Sequence, residues 1–406
     1  MHLLLCYKSL EMQKPDGRFY KILGTIFLIL LSTTVAIVVC DKVFSWLELD
    51  KAQFALVVPI NERYPRPYVE SAGRPGTHVF NRLGYRDDLP GEAKGNEFRV
   101  FVVGGSTVMY GDPPFSKLLE EEFHKAGYAD ARVFNFGAVS SVSGQDLARI
   151  VYDISRFEPD LVILYNGGND ILHGTGWDPR PGYPMSFLLQ EKNPLLQLNG
   201  GYRHHFLLFL SSIRIFRTAL RPLIEDNIVG YHEERKRQLE LHLGEEGLRQ
   251  AFLREYIRHV TLAGKVSKSL GAEFIAVFQP LADFSGAGEN LTKDARRIVL
   301  EKFAVHQTNS DFRFADLSNL FLERAATVYI DPIHIKQEFQ GEVASAIFGE
   351  LLRPQHSFKF WTRLKKTTAN VARTLRAKGA VEQPFKALSP HGLALPAPTR
   401  RISISR

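Results

Sequence analysis

Cysteine is almost missing from this chain of 406 residues: there are two, Cys6 and Cys40, both ahead of the main body. No disulfide inside the body and no cysteine-based zinc site can be built from them. Phosphate-binding patterns are missing as well, although one glycine turn invites them. The stretch "VFVVGGSTVMYGD", residues 100–112, lacks both the lysine and the spacing of G-x-x-x-x-G-K-[ST], and it is not G-x-G-x-x-G. Ligand-spaced clusters are absent too. His204 and His205 are adjacent and would point apart on a helix, while His124, His173 and Asp112 have no supporting spacing. Neither a cofactor nor a metal is expected, and no internal repeat is visible.

An excess of positive charge is present only locally. The net charge is +7, yet from Arg353 onward twelve Lys/Arg face a single acid, Glu382, leaving −4 for everything before. A basic tail on an acidic body does not point to nucleic acid. Within the tail, "SFKFWTRLKKTTANVARTLRA" spaces Phe358, Trp361, Leu364 and Leu375 near one helical face, which suits a helix on an anionic membrane surface and equally a solvated terminal helix. Residues 379–406 are Pro-rich and aperiodic and read as disordered.

What is there begins with one long apolar run. Ile22–Cys40 has no charged residue, and nineteen residues at about 1.5 Å each nearly span a hydrocarbon core of about 30 Å. Lys8, Lys14, Arg18 and Lys21 precede it, whereas Asp41, Lys42, Glu48 and Asp50 follow. That bias places residues 1–21 in the cytoplasm and the body outside it. A cleaved signal peptide competes with this reading, but its apolar region is usually shorter, and "VVCDKV" is not a small-x-small cleavage site. We therefore expect an uncleaved anchor at 22–40, an extended lead-in at 41–97, the main body at 98–352 and a basic tail at 353–406.

The body alternates. Apolar strands are expected at Phe98–Val103, Arg132–Phe136, Leu161–Tyr165, Glu273–Phe278 and Phe312–Asp316. Helices are expected at Pro114–Ala126, Gly144–Phe157, Leu248–Leu270, Asn290–His306 and Lys336–Leu352. This pattern predicts an α/β fold with a parallel sheet covered on both faces. Between 171 and 247 the alternation stops, marking a helical insertion or cap. There Arg214, Arg217 and Arg221 share a helical face, either solvated or able to clamp an anion.

Sheets of this kind bind ligands beyond the carboxyl ends of their strands. Four tips there carry polar or glycine residues: Gly104-Gly105-Ser106, Gly137, Gly167-Gly168-Asn169-Asp170, and the "DPIH" run Asp331–His334. Each has a bland reading. Ser106 can be a helix cap, Asn169 and Asp170 turn residues, and Asp331-Pro332 a turn opening; Ser140, Ser141 and Ser143 read best as turn formers. Taken together they meet the needs of acyl transfer. Ser106 is the candidate nucleophile, His334 its base, and Asp331 the group that holds the imidazole tautomer. Backbone N–H groups of Ser106 and Gly137, with the amide of Asn169, would surround an oxyanion. Gly137, lacking a Cβ, would also let substrate approach the backbone.

"GGST", Gly137, "GGND" and "DPIH" resemble, in order and spacing, the four blocks of the SGNH (GDSL-type) hydrolase superfamily. "FQP" at 278–280 and "FADLS" at 314–318 also resemble strands of that superfamily's fold, and the upstream "NRLGYRDD" at 81–88 resembles the lead-in of its membrane-anchored bacterial members. The resemblance covers residues 98–352. It implies a three-layer, flavodoxin-like fold of about five parallel strands, with Ser106, Asp331 and His334 catalytic and Ser106, Gly137 and Asn169 as oxyanion donors. One departure is Gly-Gly-Ser in place of Gly-Asp-Ser, which leaves the substrate class open. Three functions follow as expectations: a serine esterase acting on acylated small molecules or envelope polysaccharide, an O-acyltransferase using the same site, or a carbohydrate-binding module that has lost activity.

Overall fold

The computed structural model describes residues 17–46, 64–176 apart from 78 and 92, 179–184, 206, 210, 213, 216, 221–282 and 313–353. The expected helix at 290–306, the tail from 354, and the part of the insertion between 185 and 220 other than 206, 210, 213 and 216, with His204, His205, Arg214 and Arg217, lie outside the described residues.

Helix α1, Gly17–Trp46, contains a 24-residue stretch, Tyr20–Val43, with mean hydropathy 2.6. It is long and apolar enough to cross a membrane or to serve as a signal sequence. Its hydroxyls turn inward: Thr25 donates to the carbonyl of Lys21 and Thr34 to that of Leu30. Such bonds satisfy those two hydroxyls within the helix itself.

Residues 64–97, expected as an extended approach, are packed onto the body. A short hairpin pairs β1 (Tyr64–Arg66) with β2 (Glu70–Ala72). Ala72, Leu83 and Tyr85 then enter the main core. Tyr85 donates to Asp153 at 2.5 Å, and Arg66 closes a two-pronged ion pair on the same carboxylate at 2.8 and 2.9 Å.

The body is a five-stranded parallel sheet. Its strands are β3 (Phe98–Gly104), β4 (Ala131–Gly137), β5 (Leu161–Asn166), β6 (Glu273–Phe278) and β7 (Arg313–Asp316). They lie in the order β4-β3-β5-β6-β7, which is the flavodoxin-like doubly wound order. Alternate side chains go to opposite faces. Phe101, Val103, Phe134, Phe136, Val162 and Leu164 face one core, and Val100, Val102, Val133, Leu161, Ile163 and Tyr165 face the other. The first face is covered by α4 (Ser143–Tyr152) and by the carboxyl-terminal part of α6 (Arg221–Ser269), through Leu253, Tyr256 and Val260. The second is covered by α3 (Phe115–Lys125) and α7 (Gln340–Leu352). Burying each such side chain is worth about 1.5–3 kcal/mol, which is why β3, β5 and β6 read as near-continuous apolar runs. Two short helices complete the rim: α2 (Ser106–Met109) after β3, and α5 (Gly168–Gly176) after β5.

Boundaries moved where local geometry intervened. The helix expected at 144–157 ends at Tyr152, and a separate 3-10 turn covers Ile154–Phe157. The helix expected from Leu248 begins at Arg221, with a break at Gly244, whose φ of +69° is not helical.

Candidate active site

Register aligns the strand tips. Gly104 pairs with both Gly137 and Tyr165, so β3, β4 and β5 end at one level of the rim. Ser106 opens α2 one residue beyond β3 and is buried. As the first residue of its helical turn, its N–H has no intrahelical acceptor.

The serine meets the last tip directly. Ser106 Oγ lies 2.7 Å from His334 Nε2, and His334 Nδ1 lies 2.6 Å from Asp331 Oδ2. A neutral imidazole placed so carries its proton on Nδ1, donates it to Asp331, and accepts at Nε2 from the serine. The other carboxylate oxygen of Asp331 accepts the backbone N–H groups of Ile333 and His334, at 3.0 and 2.8 Å. Partial burial pushes this carboxyl upward. The hydrogen bond to His334 and the two backbone donors outweigh that effect and hold it below its ordinary value. The loop is itself a narrow hairpin, closed by Ile330 N–H to the His334 carbonyl and by Lys336 N–H to the Val328 carbonyl. It is clamped to the serine segment by Gln337, which accepts from Asp112 N–H and donates to the Pro113 carbonyl, both at 2.9 Å. Arg86, in the lead-in, steadies the same segment from the other side through the Met109 and Gly111 carbonyls.

Asn169 reaches the site from α5. Its Nδ2 donates to the Ser141 carbonyl at 2.8 Å, leaving the amide's second proton for another acceptor. The same atom sits against the glycine turn: a Cβ on Gly105 would lie 2.5 Å from Asn169 Nδ2. A side chain before the serine would therefore push this amide aside.

Gly137 differs from expectation in what its bare Cα admits. A Cβ there would lie 2.5 Å from Met109 N and 2.7 Å from Val108 Cβ. The space that substrate was expected to use is filled by α2, so this glycine lets the serine-bearing turn pack onto β4. Its N–H also has an acceptor, Oδ1 of Asn135 at 2.9 Å. Asn135 in turn donates to the Val108 carbonyl at 2.8 Å, fastening β4 to α2. Asn135 escaped the sequence reading, although a lone amide in the apolar run "VFNFG" was its signal.

Other flagged side chains have separate partners. His124 Nε2 lies 2.9 Å from the Ala131 carbonyl, between α3 and β4. Asp170 joins Ser143, which contacts it through both N–H and Oγ and also lies 3.0 Å from His259 Nδ1. Burial, reinforced by the nearby charge of Asp146, raises the Asp170 carboxyl to about 7 against the pull of Ser143. Among the described residues no three His, Cys, Asp or Glu side chains are grouped to hold a metal ion.

No protein-family model matches the chain, nor does any curated protein. Solved structures resemble it faintly. One is Axe2, an acetylxylan esterase from Geobacillus stearothermophilus, at 14% identity and TM-score 0.40 over 65% of this chain and 99% of that one. Another is the acetyl xylan esterase AlAXEase, at 13% identity and TM-score 0.38 over 63% and 100%. A third is BT4096, a gut microbial diltiazem-metabolizing enzyme, at 14% identity and TM-score 0.39 over 62% and 46%. No activity follows from likeness at this level.

Proposed function

We propose that the protein is a membrane-anchored serine esterase that cleaves O-acyl, first of all O-acetyl, esters of cell-envelope carbohydrate. The observation that carries this reading is the unbroken relay from Ser106 Oγ through His334 to Asp331, with contacts of 2.7 and 2.6 Å. In the proposed reaction Ser106 Oγ attacks the ester carbonyl while His334 Nε2 takes its proton. Asp331 keeps the imidazole oriented and stabilises the imidazolium. The developing oxyanion is held by the Ser106 N–H and by the second proton of Asn169 Nδ2. The N–H of Gly137 joins them only by leaving Asn135. His334 then protonates the leaving alcohol and activates water, which releases the acid and restores the serine. Acetylated polysaccharide is the substrate class to test first, by analogy with the membrane-anchored bacterial members that the lead-in at 81–88 resembles.

The anchor is residues 22–40, with the Lys/Arg-rich flank in the cytoplasm and the body on the far side. The test is acetate release from an acetylated polysaccharide by wild type and Ser106→Ala, with and without an acceptor sugar. Release by the wild type alone supports the esterase. Acetyl appearing on the added sugar without free acetate replaces hydrolysis by acyl transfer at the same serine, and activity surviving in S106A rejects the site. Protease protection of the body in sealed membranes checks the orientation.

A further inference from the structure

The carbonyl that holds Asn169 belongs to a segment pinned from within by buried charge. Ser141 Oγ donates to Asp146 Oδ1 at 2.5 Å and accepts from Arg149 Nη1 at 2.6 Å. The same Nη1 meets Asp146 Oδ1 at 2.7 Å, and neither charged side chain has any exposure. The other carboxylate oxygen, Oδ2, accepts from Asn166 Nδ2 at 2.9 Å, and Tyr256 donates to Asn166 Oδ1 at 3.2 Å. Burial raises the Asp146 carboxyl, and Arg149, Ser141 and Asn166 pull it back.

Such a pair is a poor way to gain stability. Removing two charges from water costs more than their attraction returns unless every polar atom is satisfied, and here Nε and Nη2 of Arg149 have no hydrogen-bond partner among the described residues. An apolar pair of the same shape would hold the layers together as well. What the ionic pair controls is position. One oxygen of Asp146 grips Ser141, the residue whose carbonyl orients the Asn169 amide. The other grips Asn166, the last residue of the strand from which Asn169 departs. The two attachments of Asn169, its strand and its side-chain acceptor, are thus held at a fixed separation by one carboxylate.

We propose that Asp146, with Arg149 as its counter-ion, is a positioning residue for the oxyanion donor Asn169, an inference that rests on Ser106 being an esterase nucleophile. Fixing the Ser141 carbonyl against the β5 tip commits one proton of Nδ2 and leaves the other in place before charge develops on the substrate. Preorganised donors of this kind need no rearrangement at the moment of reaction.

The test is a double-mutant cycle on the full chain, using hydrolysis of p-nitrophenyl acetate with circular dichroism and thermal melting for each variant. The variants are Ser141→Ala, Asp146→Asn, Asn169→Ala and the doubles S141A/N169A and D146N/N169A; if D146N does not fold, the smaller S141A change carries the cycle. S141A and D146N are expected to lower kcat about tenfold with KM within about twofold, and N169A about a hundredfold. Added to N169A, either change should cost less than about twofold more, because no amide is left to aim. Full additivity in the N169A background, or a loss seen in KM, overturns the inference and leaves the pair structural. A wild type no more active than S106A removes the esterase reading and this inference with it. An active wild type, an inactive S106A and additive doubles remove the inference alone.

Discussion

On one side of Ser106 lie β4, α4 and the start of α5, where Asn135, Ser141, Asp146, Arg149 and Asn169 are buried; the last four are linked through Ser141, and Asn135 bonds to the Val108 carbonyl. On the other lies the hairpin of His334, whose side chain is 29% exposed beside an Asp331 at 44% and an Ile330 at 69%. The difference follows from what each side is asked to do. Donors awaiting an oxyanion gain from a dry, fixed setting in which charge interactions are strong. A base that passes protons to a leaving alcohol and takes them from water gains from solvent nearby. The dry side should therefore fail in stability and transition-state binding together, and the wet side in turnover alone.

Predictions that break or sharpen this contrast run from large to small. Ser106→Ala and His334→Ala should each lower kcat by at least about 10³-fold in a steady-state ester assay, since either change stops proton-coupled attack. Arg149→Met, which leaves the Asp146 carboxylate buried without its counter-ion, should cost about 3–5 kcal/mol in denaturant unfolding. Asp331→Asn, at a carboxyl nearly half exposed, should cost much less in the same assay, and equal destabilisation of the two variants would erase the contrast. Gly105→Ala should reduce kcat about tenfold by forcing the Asn169 amide away, a loss measured at saturating substrate and smaller than that of N169A. A pH effect is expected at Asp170, which accepts from Ser143 and lies near the charge of Asp146. Its carboxyl stands at about 7 in the folded protein against an ordinary 3.8. The folded state therefore holds a proton that the unfolded state releases between those values, and the associated stability is lost as pH rises through them. Melting curves should show Asp170→Asn gaining on the wild type between about pH 4 and pH 8.

Much of the architecture could be read from the chain because buried parallel strands leave a simple trace. The run Glu273–Phe278 is a strand with the bounds its composition implies; β3 and β5 run one residue past their expected ends, β4 one residue past both, and β7 ends at Asp316 as expected. The rim was readable too: Ser106, Asp331 and His334 are brought into contact although 228 residues separate the serine from the histidine. What stayed hidden depends on partners. Asp146 and Arg149, three apart on a helix, look in sequence like a solvated i, i+3 pair, and only the packed layers show them to be dry. Gly137 was visible as a necessary glycine, but whether substrate or α2 filled its missing Cβ could not be told without the register of β3 against β4. Tyr85 lay in a segment punctuated by proline and glycine, where burial leaves no periodic trace.

Everything proposed turns on a serine oxygen activated by the imidazole beside it. The most direct measurement is peptide-resolved mass spectrometry after treatment with a serine-directed fluorophosphonate. The account predicts a single adduct on Ser106 that forms on the wild type, is strongly slowed in His334→Ala and is absent from Ser106→Ala. An unlabelled wild type, or an adduct on another serine with Ser106 untouched, would contradict it.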